Sequence, residues 1–490
     1  MHSKSIRWSI AGLVLLLLIS LMVWYKLFRE VDQEPFATPE EAFKYGSIGN
    51  EANNGIPYWI WRVLPQMFPE YLPGSGGYTA LGLFWEPGKE TPVGFSIKTV
   101  GVPRVAFNCA FCHQTSYRLK ESDLPTLIPE GTGNRVDPQA YIRFLAAAGA
   151  DARFNSDAIL AEIKSIYDLS WLDRQLYRYV LIPAAKKALI RQGQNSAWTT
   201  TRTDWGRGRI DPFNPIKFGI LKMGLDDTIG NSDMMPLWNM AAKTGKTASG
   251  EIKALHWDGL NTSLHEVVVT GAIGDGMTYK TYPATKHYLD RMEQWLGQVP
   301  SPPSPFSSNQ TPTSPYYVAA DQVAAGQAIY ARECSICHAV NGARNRTVIP
   351  VEEVGTDRHR VDMWTAEAAK RYGAYQKEHD WGFKGFQNVD GYVAVTHDGL
   401  WLRAPYLHNG SVPTLRDMLK KPADRPVLFY RGYDLIDPVN GGFIAQGEKA
   451  ERVSSRYDTR LPGNSNQGHL YGTDLSESDK EALLAYLKTL

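Results

Sequence analysis

Cysteine is scarce in this chain, with four in 490 residues, which excludes a disulfide-dense secreted scaffold. Charge of one sign is lacking too: 52 Lys and Arg stand against 51 Asp and Glu, for a net charge of +1. With no basic excess to hold a phosphate backbone, no nucleic-acid partner is expected. Histidine is rare, at 11. Beyond one N-terminal run, no stretch is long and apolar enough to span a bilayer. Low-complexity sequence is confined to one Pro/Ser-rich stretch, and nothing repeats except one five-residue pattern. What the chain does have is length for two or three domains and many aromatics, including 14 Trp and 25 Tyr.

All four cysteines lie in that repeated pattern: Cys109-Ala-Phe-Cys112-His113 and Cys334-Ser-Ile-Cys337-His338. Cys-x-x-Cys-His is the attachment signal for c-type haem. Two thiols bond to the haem vinyl groups, the two intervening residues set their spacing, and the adjacent histidine comes under the iron as axial ligand. A four-cysteine zinc site would need the pairs to converge and would not need a histidine after each. A thioredoxin-like dithiol would be expected once, near a βαβ pattern that is not seen here. Two covalently bound c-type haems are therefore expected, haem 1 on His113 and haem 2 on His338.

Trp8 to Tyr25 is an uncharged run at the short end of the ~17–25 residues that a membrane helix needs. No small-residue cleavage site follows it, so an uncleaved signal anchor is preferred to a cleaved signal peptide. Residues 1–7 then form a cytoplasmic tail, 8–25 the anchor and 26–45 a juxtamembrane linker. Lys4 and Arg7 precede the span, although Lys26 and Arg29 follow it. Haem attachment outside the cytoplasm also puts the body on the periplasmic side of a bacterial inner membrane.

The fold class expected is mainly α, with two cytochrome c-like domains enlarged by long loops. Residues 46–299 form the haem 1 domain, 300–316 an extended Pro/Ser-rich linker, and 317–490 the haem 2 domain. Asp321–Glu333 reads as a helix leading into Cys334. Ser476 reads as the N-cap of a closing helix carrying Leu483, Leu484, Leu487 and Leu490 on one face. Asp157–Gln192 reads as mostly helical with an interruption at Pro183, and Tyr282–Gln298 as another helix. Strand signals are few and short.

The sixth ligand of each iron separates electron transfer from catalysis. After His113 there is no histidine until His256. Met223, Met234 and Met235 are candidate ligands for haem 1, but an open iron that binds O2 or peroxide is the more economical reading. His256 and His265 are candidate pocket groups, or simply structural. For haem 2 the candidates are His359, His397, His408, Met418 and His469. His469 is preferred because Gly468–Asp474 is a loop just ahead of the closing helix, with Met418 next and His408 third. Gly274-Asp-Gly276 has the outline of a cation loop, though one acid is weak support for calcium.

Ala404-Pro-Tyr-Leu-His-Asn-Gly-Ser-Val-Pro-Thr-Leu415 and Trp257-Asp-Gly259 resemble motifs of the bacterial di-haem cytochrome c peroxidase superfamily. His256–Glu266, Phe429–Asp434, Asp437–Asn440 and Gly468–Gly472 are closer to its rubber-oxygenase branch. The resemblance implies that Trp257 couples the two haems, that His469 is the second axial ligand of haem 2, and that haem 1 is open to O2. It also implies that Thr270-Gly-Ala-Ile273 supplies an apolar distal wall. The chain departs from the peroxidases in having no early distal histidine, and only Asp275 where they carry a catalytic Glu. It departs from rubber oxygenases in being anchored, and in having Ala272 or Ile273 where they have an aromatic residue. The expected function is a redox enzyme, an oxygenase or peroxidase. It would exchange electrons with periplasmic carriers and act on O2 or peroxide and an apolar substrate, with Trp257 and Ile273 at its centre. The alternative is an electron-transfer cytochrome with no substrate of its own.

Overall fold

The computed structural model describes residues 2–33, 35–383 and 387–490. Met1 of the expected tail and Glu34 of the expected linker lie outside these. The N-terminal run forms a helix, His2–Phe28. Its Ile10–Phe28 portion is the one helix among the described residues long and apolar enough to cross a membrane.

The stretch expected to be a juxtamembrane linker, 26–45, is built into the body instead. Glu30–Val31 pairs antiparallel with Thr99–Val100. Pro39–Tyr45 is a helix capped by the Thr38 hydroxyl, and it buries Ala42, Phe43, Lys44 and Tyr45. Phe36, Phe43 and Tyr45 give this segment enough apolar surface to enter a core.

Helices dominate the described residues, but the mainly-α expectation needs correcting for five antiparallel sheets. The largest has four strands in the order Glu30–Val31, Phe95–Val100, Val102–Phe107, Ile56–Pro57. Its centre is a hairpin turned at Gly101, where φ is +72° and a Cβ would lie 2.0 Å from the Leu27 carbonyl oxygen. Only glycine permits both that dihedral and that approach. Pro103 in the second strand argues against a strand in sequence terms, yet it pairs opposite Thr99 within an unbroken register.

Against this sheet packs Tyr58–Met67, and Pro138–Ala150, Ser156–Ile166 and Ile182–Ser196 complete the same core around Trp61, Phe68, Phe95, Tyr141 and Phe144. The helical stretch expected over 157–192 breaks after Ile166 rather than at Pro183. It restarts at Trp171 and passes through a π turn at Tyr177–Leu181 directly into the next helix. Pro183 falls in the first turn of that helix, where its missing N–H is tolerated.

In the C-terminal half, Ala320–Glu333 crosses Glu477–Thr489, which Ser476 caps. The crossing is tight: a Cβ on Gly326 would lie 2.0 Å from the Ala482 carbonyl oxygen. The Pro/Ser-rich segment 300–316 is a packed strap. Phe306 and Tyr316 enter the C-terminal core, the Pro302 carbonyl accepts from Trp401, and the Ser304 hydroxyl donates to the Lys488 carbonyl.

Candidate haem-attachment sites

Cys109–His113 is a single helical turn. Asn108 starts it: its side-chain oxygen accepts from Ala110 N–H, and its Nδ2 donates to the Lys44 and Gly46 carbonyls. Ala110 and Phe111 are buried, while Cys109, Cys112 and His113 stay half-buried. His113 Nδ1 lies 2.8 Å from the Met235 carbonyl and 3.4 Å from that of Gly131. A carbonyl only accepts, so Nδ1 carries the proton and Nε2 keeps its lone pair for a metal. Burial lowers the His113 pKa to about 4 and raises that of Cys109 to about 12, so the ring is neutral and the thiol protonated.

The second turn repeats this design. Ser335–His338 follows Cys334 at the end of the Ala320–Glu333 helix. His338 Nδ1 lies 2.7 Å from the Val395 carbonyl, and burial lowers its pKa to about 4. A cavity of about 300 Å³ lies against the motif, lined by Cys334, Cys337, His338, Met418 and His469 among others. The rings of His338 and His469 are 6.1 Å apart between centroids. Two histidine nitrogens each about 2 Å from one metal ion place their rings roughly 6 Å apart. His469 Nδ1 is buried without a hydrogen-bond partner. These residues fit a bis-histidine haem.

The loop carrying His469 is held from outside. Arg425 donates to the carbonyls of Asn466, Gly468 and His469. His469 takes φ +47°, in the left-handed region. No sequence pattern pointed to Arg425, because its partners are backbone carbonyls.

The other candidates separate by position. His397 lies flat on His338, with ring centroids 3.9 Å apart and planes 16° apart, so it packs beside that ring rather than across the cavity from it. Met418 and His408 both line the cavity. His408 stacks on Tyr392 at 3.8 Å. His359 is half exposed and bonded to Asp357 at 2.8 Å.

Trp257 lines the same cavity. Its backbone N–H donates to Met235 Sδ at 2.9 Å, and its carbonyl accepts from Val393 N–H. Met235 thus touches both motifs' surroundings: its carbonyl holds His113 and its sulfur holds Trp257. This places Met235 behind His113, on the side away from Nε2, and so argues against it as the sixth ligand of a haem expected there. Met234 lines the cavity at the second motif, and Met223 packs in a separate cluster around Trp364. His256 is close enough to His113 to help lower its pKa, and its own Nε2 is buried without a partner. Both ring nitrogens of His265 are engaged, with Glu293 and the Trp381 carbonyl.

Ile273 is buried on the Leu264–Gly274 helix, in the cluster that also holds Val269, Ala272 and Ala110, with Cys109 at its edge. Asp275 follows, near enough to Cys109 and Cys112 for its charge to raise both thiols; burial lifts its own pKa to about 7. The outlined cation loop is otherwise used: the Asp275 and Gly276 carbonyls accept from the amides of Asn50, Asn53 and Asn54.

Residues 391–430 match the RoxA-like, cytochrome c-like family. The RoxA-like stretch supplies Val395, His397, His408 and Met418, which line the cavity, and Arg425, which holds the His469 loop, and it implies covalently bound haem c. The uncharacterized protein y4iM of Sinorhizobium fredii is 26% identical over 280 residues, covering 49% of this chain and 56% of that protein. The uncharacterized protein y4iJ of the same organism is 39% identical over 115 residues, or 22% of this chain and 19% of its own length. The chain thus spans about half the length of the first relative and a fifth of the second.

Proposed function

We propose that this chain is a membrane-anchored periplasmic cytochrome of the di-haem type, with two cytochrome c-like domains and one haem on each Cys-x-x-Cys-His turn. In this reading it is a redox enzyme whose first site binds O2 or peroxide and whose second site exchanges electrons with periplasmic carriers. The observation that carries it is the repeated design: both motif histidines give Nδ1–H to a backbone carbonyl and keep Nε2 free. A bound c-type haem would supply one-electron chemistry and, at an iron with an open position, O2 or peroxide binding.

The residues divide the work. His338 and His469 would close the second site from both faces, which suits electron transfer. Around the first turn, Val269, Ala272 and Ile273 exclude water and favour an apolar substrate. Asp275 holds a proton beside Cys109 near neutral pH. Trp257 is fixed between the two sites by Met235 and Val393. The RoxA-like match supports the oxygenase branch of this reading. Membership of the wider peroxidase superfamily rests on the Ala404–Leu415 and Trp257–Gly259 motifs.

The test is haem stoichiometry and spin state in protein matured with c-type haem. Two covalent haems are expected by mass, falling to one in Cys109→Ala/Cys112→Ala and in Cys334→Ala/Cys337→Ala. Electron paramagnetic resonance should show one low-spin and one high-spin ferric signal, the latter converted by cyanide. Two low-spin signals unmoved by cyanide would transfer the reading to a pure electron carrier. A single haem in the wild type would overturn the di-haem reading.

A further inference from the structure

We propose that the segment 166–180 is a second membrane contact, resting on the surface of the same bilayer that the N-terminal helix crosses. The inference rests on that helix being embedded, as the proposed function has it.

The apolar helix does not hang from the body on a tether. Its last turn is docked: Lys26 Nζ is 2.9 Å from Asp173 Oδ1. Leu27 packs into the N-terminal core together with Leu169 and Leu176. The sheet hairpin turns directly against the Leu27 carbonyl at Gly101. The Trp171–Leu176 helix therefore sits beside the point where the membrane helix ends. That end carries exposed Trp24, Tyr25 and Phe28, the residue types that settle at the headgroup level.

The docked segment turns apolar side chains outward at this level. Trp171 is 75% exposed and Tyr179 71%, and Ile166, Tyr167 and Val180 are exposed beside them. In the π turn, Tyr177 and Leu181 are buried and hold the backbone to the core, so Tyr179 and Val180 face away. Scattered exposed apolar residues need no explanation. Five within 15 residues, next to a membrane exit, do. Lys164, Lys187 and Arg191 are exposed nearby, while Arg174 pairs with Asp168, Arg178 with Asp157, and Lys186 donates to the Asp151 and Phe154 carbonyls. Aromatic and aliphatic side chains with a basic surround suit a bilayer surface bearing anionic headgroups.

Two anchoring points would fix the tilt of the docked helix and body together over the membrane. Photocrosslinking of the full-length protein in phosphatidylethanolamine/phosphatidylglycerol liposomes tests this. Benzoylphenylalanine replaces Tyr179, Trp24 or, as a control on the C-terminal half, the exposed Val439. Lipid adducts are expected at 24 and 179 and none at 439, with an unchanged far-ultraviolet circular dichroism spectrum in each variant. Adducts at 24 but not at 179 overturn this proposal and leave the anchor standing. No adduct at 24 removes the anchor and the proposal together. Equal adducts at 179 and 439 would mean nonspecific lipid contact, and overturn it too.

Discussion

Single residues set what each site can do. The cysteines and their adjacent histidines were legible in the sequence because covalent attachment fixes their spacing. What orients the histidines was not, because His113 leans on a carbonyl 122 positions away. Met235 had been legible only as a candidate ligand, and the structure turns it into a support. Met235→Leu keeps the carbonyl for His113 but removes the sulfur from Trp257 N–H. In a protein carrying both proposed haems, electron equilibration between them should slow several-fold in stopped-flow reduction, with the optical spectrum of the first unchanged; an unaltered rate would rule the sulfur contact out of the coupling. His408 gives a prediction in pH. Burial lowers its pKa from 6.5 to about 3, so the fold holds it neutral. Its contribution is complete above pH 6.5 and is lost as pH falls toward 3, at about 1.4 kcal/mol per unit. His408→Phe keeps a ring on Tyr392 and should move the midpoint of acid unfolding, followed by circular dichroism, to lower pH.

At the scale of elements, helices with a clear apolar stripe were the readable part. Tyr282–Gln298 and the Ser476-capped closing helix lie where period and cap placed them. The hairpin at 95–107 was missed although Phe95-Ser-Ile-Lys-Thr-Val alternates, because Pro103 disguises its partner strand. The Pro/Ser-rich strap read as a free linker because Phe306 and Tyr316 are too sparse to give a period, yet each fills a core position. The helix crossing that supports the second motif turns on Gly326. A valine there would drive its Cβ into the Ala482 carbonyl, with Tyr486 Cβ only 2.8 Å away. The Ala482 backbone of the closing helix cannot swing aside as a side chain could, so Gly326→Val should destabilise by about 3 kcal/mol in denaturant unfolding. It should also reduce haem loading at the second motif. Gly326→Ala, which adds the same Cβ but no branch, should lose less.

Across the whole molecule, the two halves share an apolar cluster of Phe213, Ile216 and Leu260 with Met363, Trp364 and Tyr372, and charged pairs also join them. Asp233 pairs with Arg431, Asp258 with Arg360, Asp434 with Arg118, and Lys243 with Asp398. None of these pairings could be read from sequence, since each joins residues more than a hundred positions apart. The Asp258–Arg360 pair has the most direct bearing on the site. Its partners are 6% and 2% exposed and 2.6 Å apart, and the Arg360 guanidinium also lies over the Trp257 ring. The pair therefore packs against Trp257 while it joins the halves. Removing one partner strands the other charge in the interior, which typically costs 3–5 kcal/mol, whereas replacing both with apolar groups is often nearly neutral. Arg360→Met should then unfold well below the wild type in a thermal scan, and Arg360→Met/Asp258→Leu should recover most of the loss. If the double variant regains stability but its haems equilibrate slowly, the pair serves electronic placement of Trp257 beyond holding the fold. If both recover, packing around Trp257 is sufficient, and the charges matter only because each would be intolerable alone.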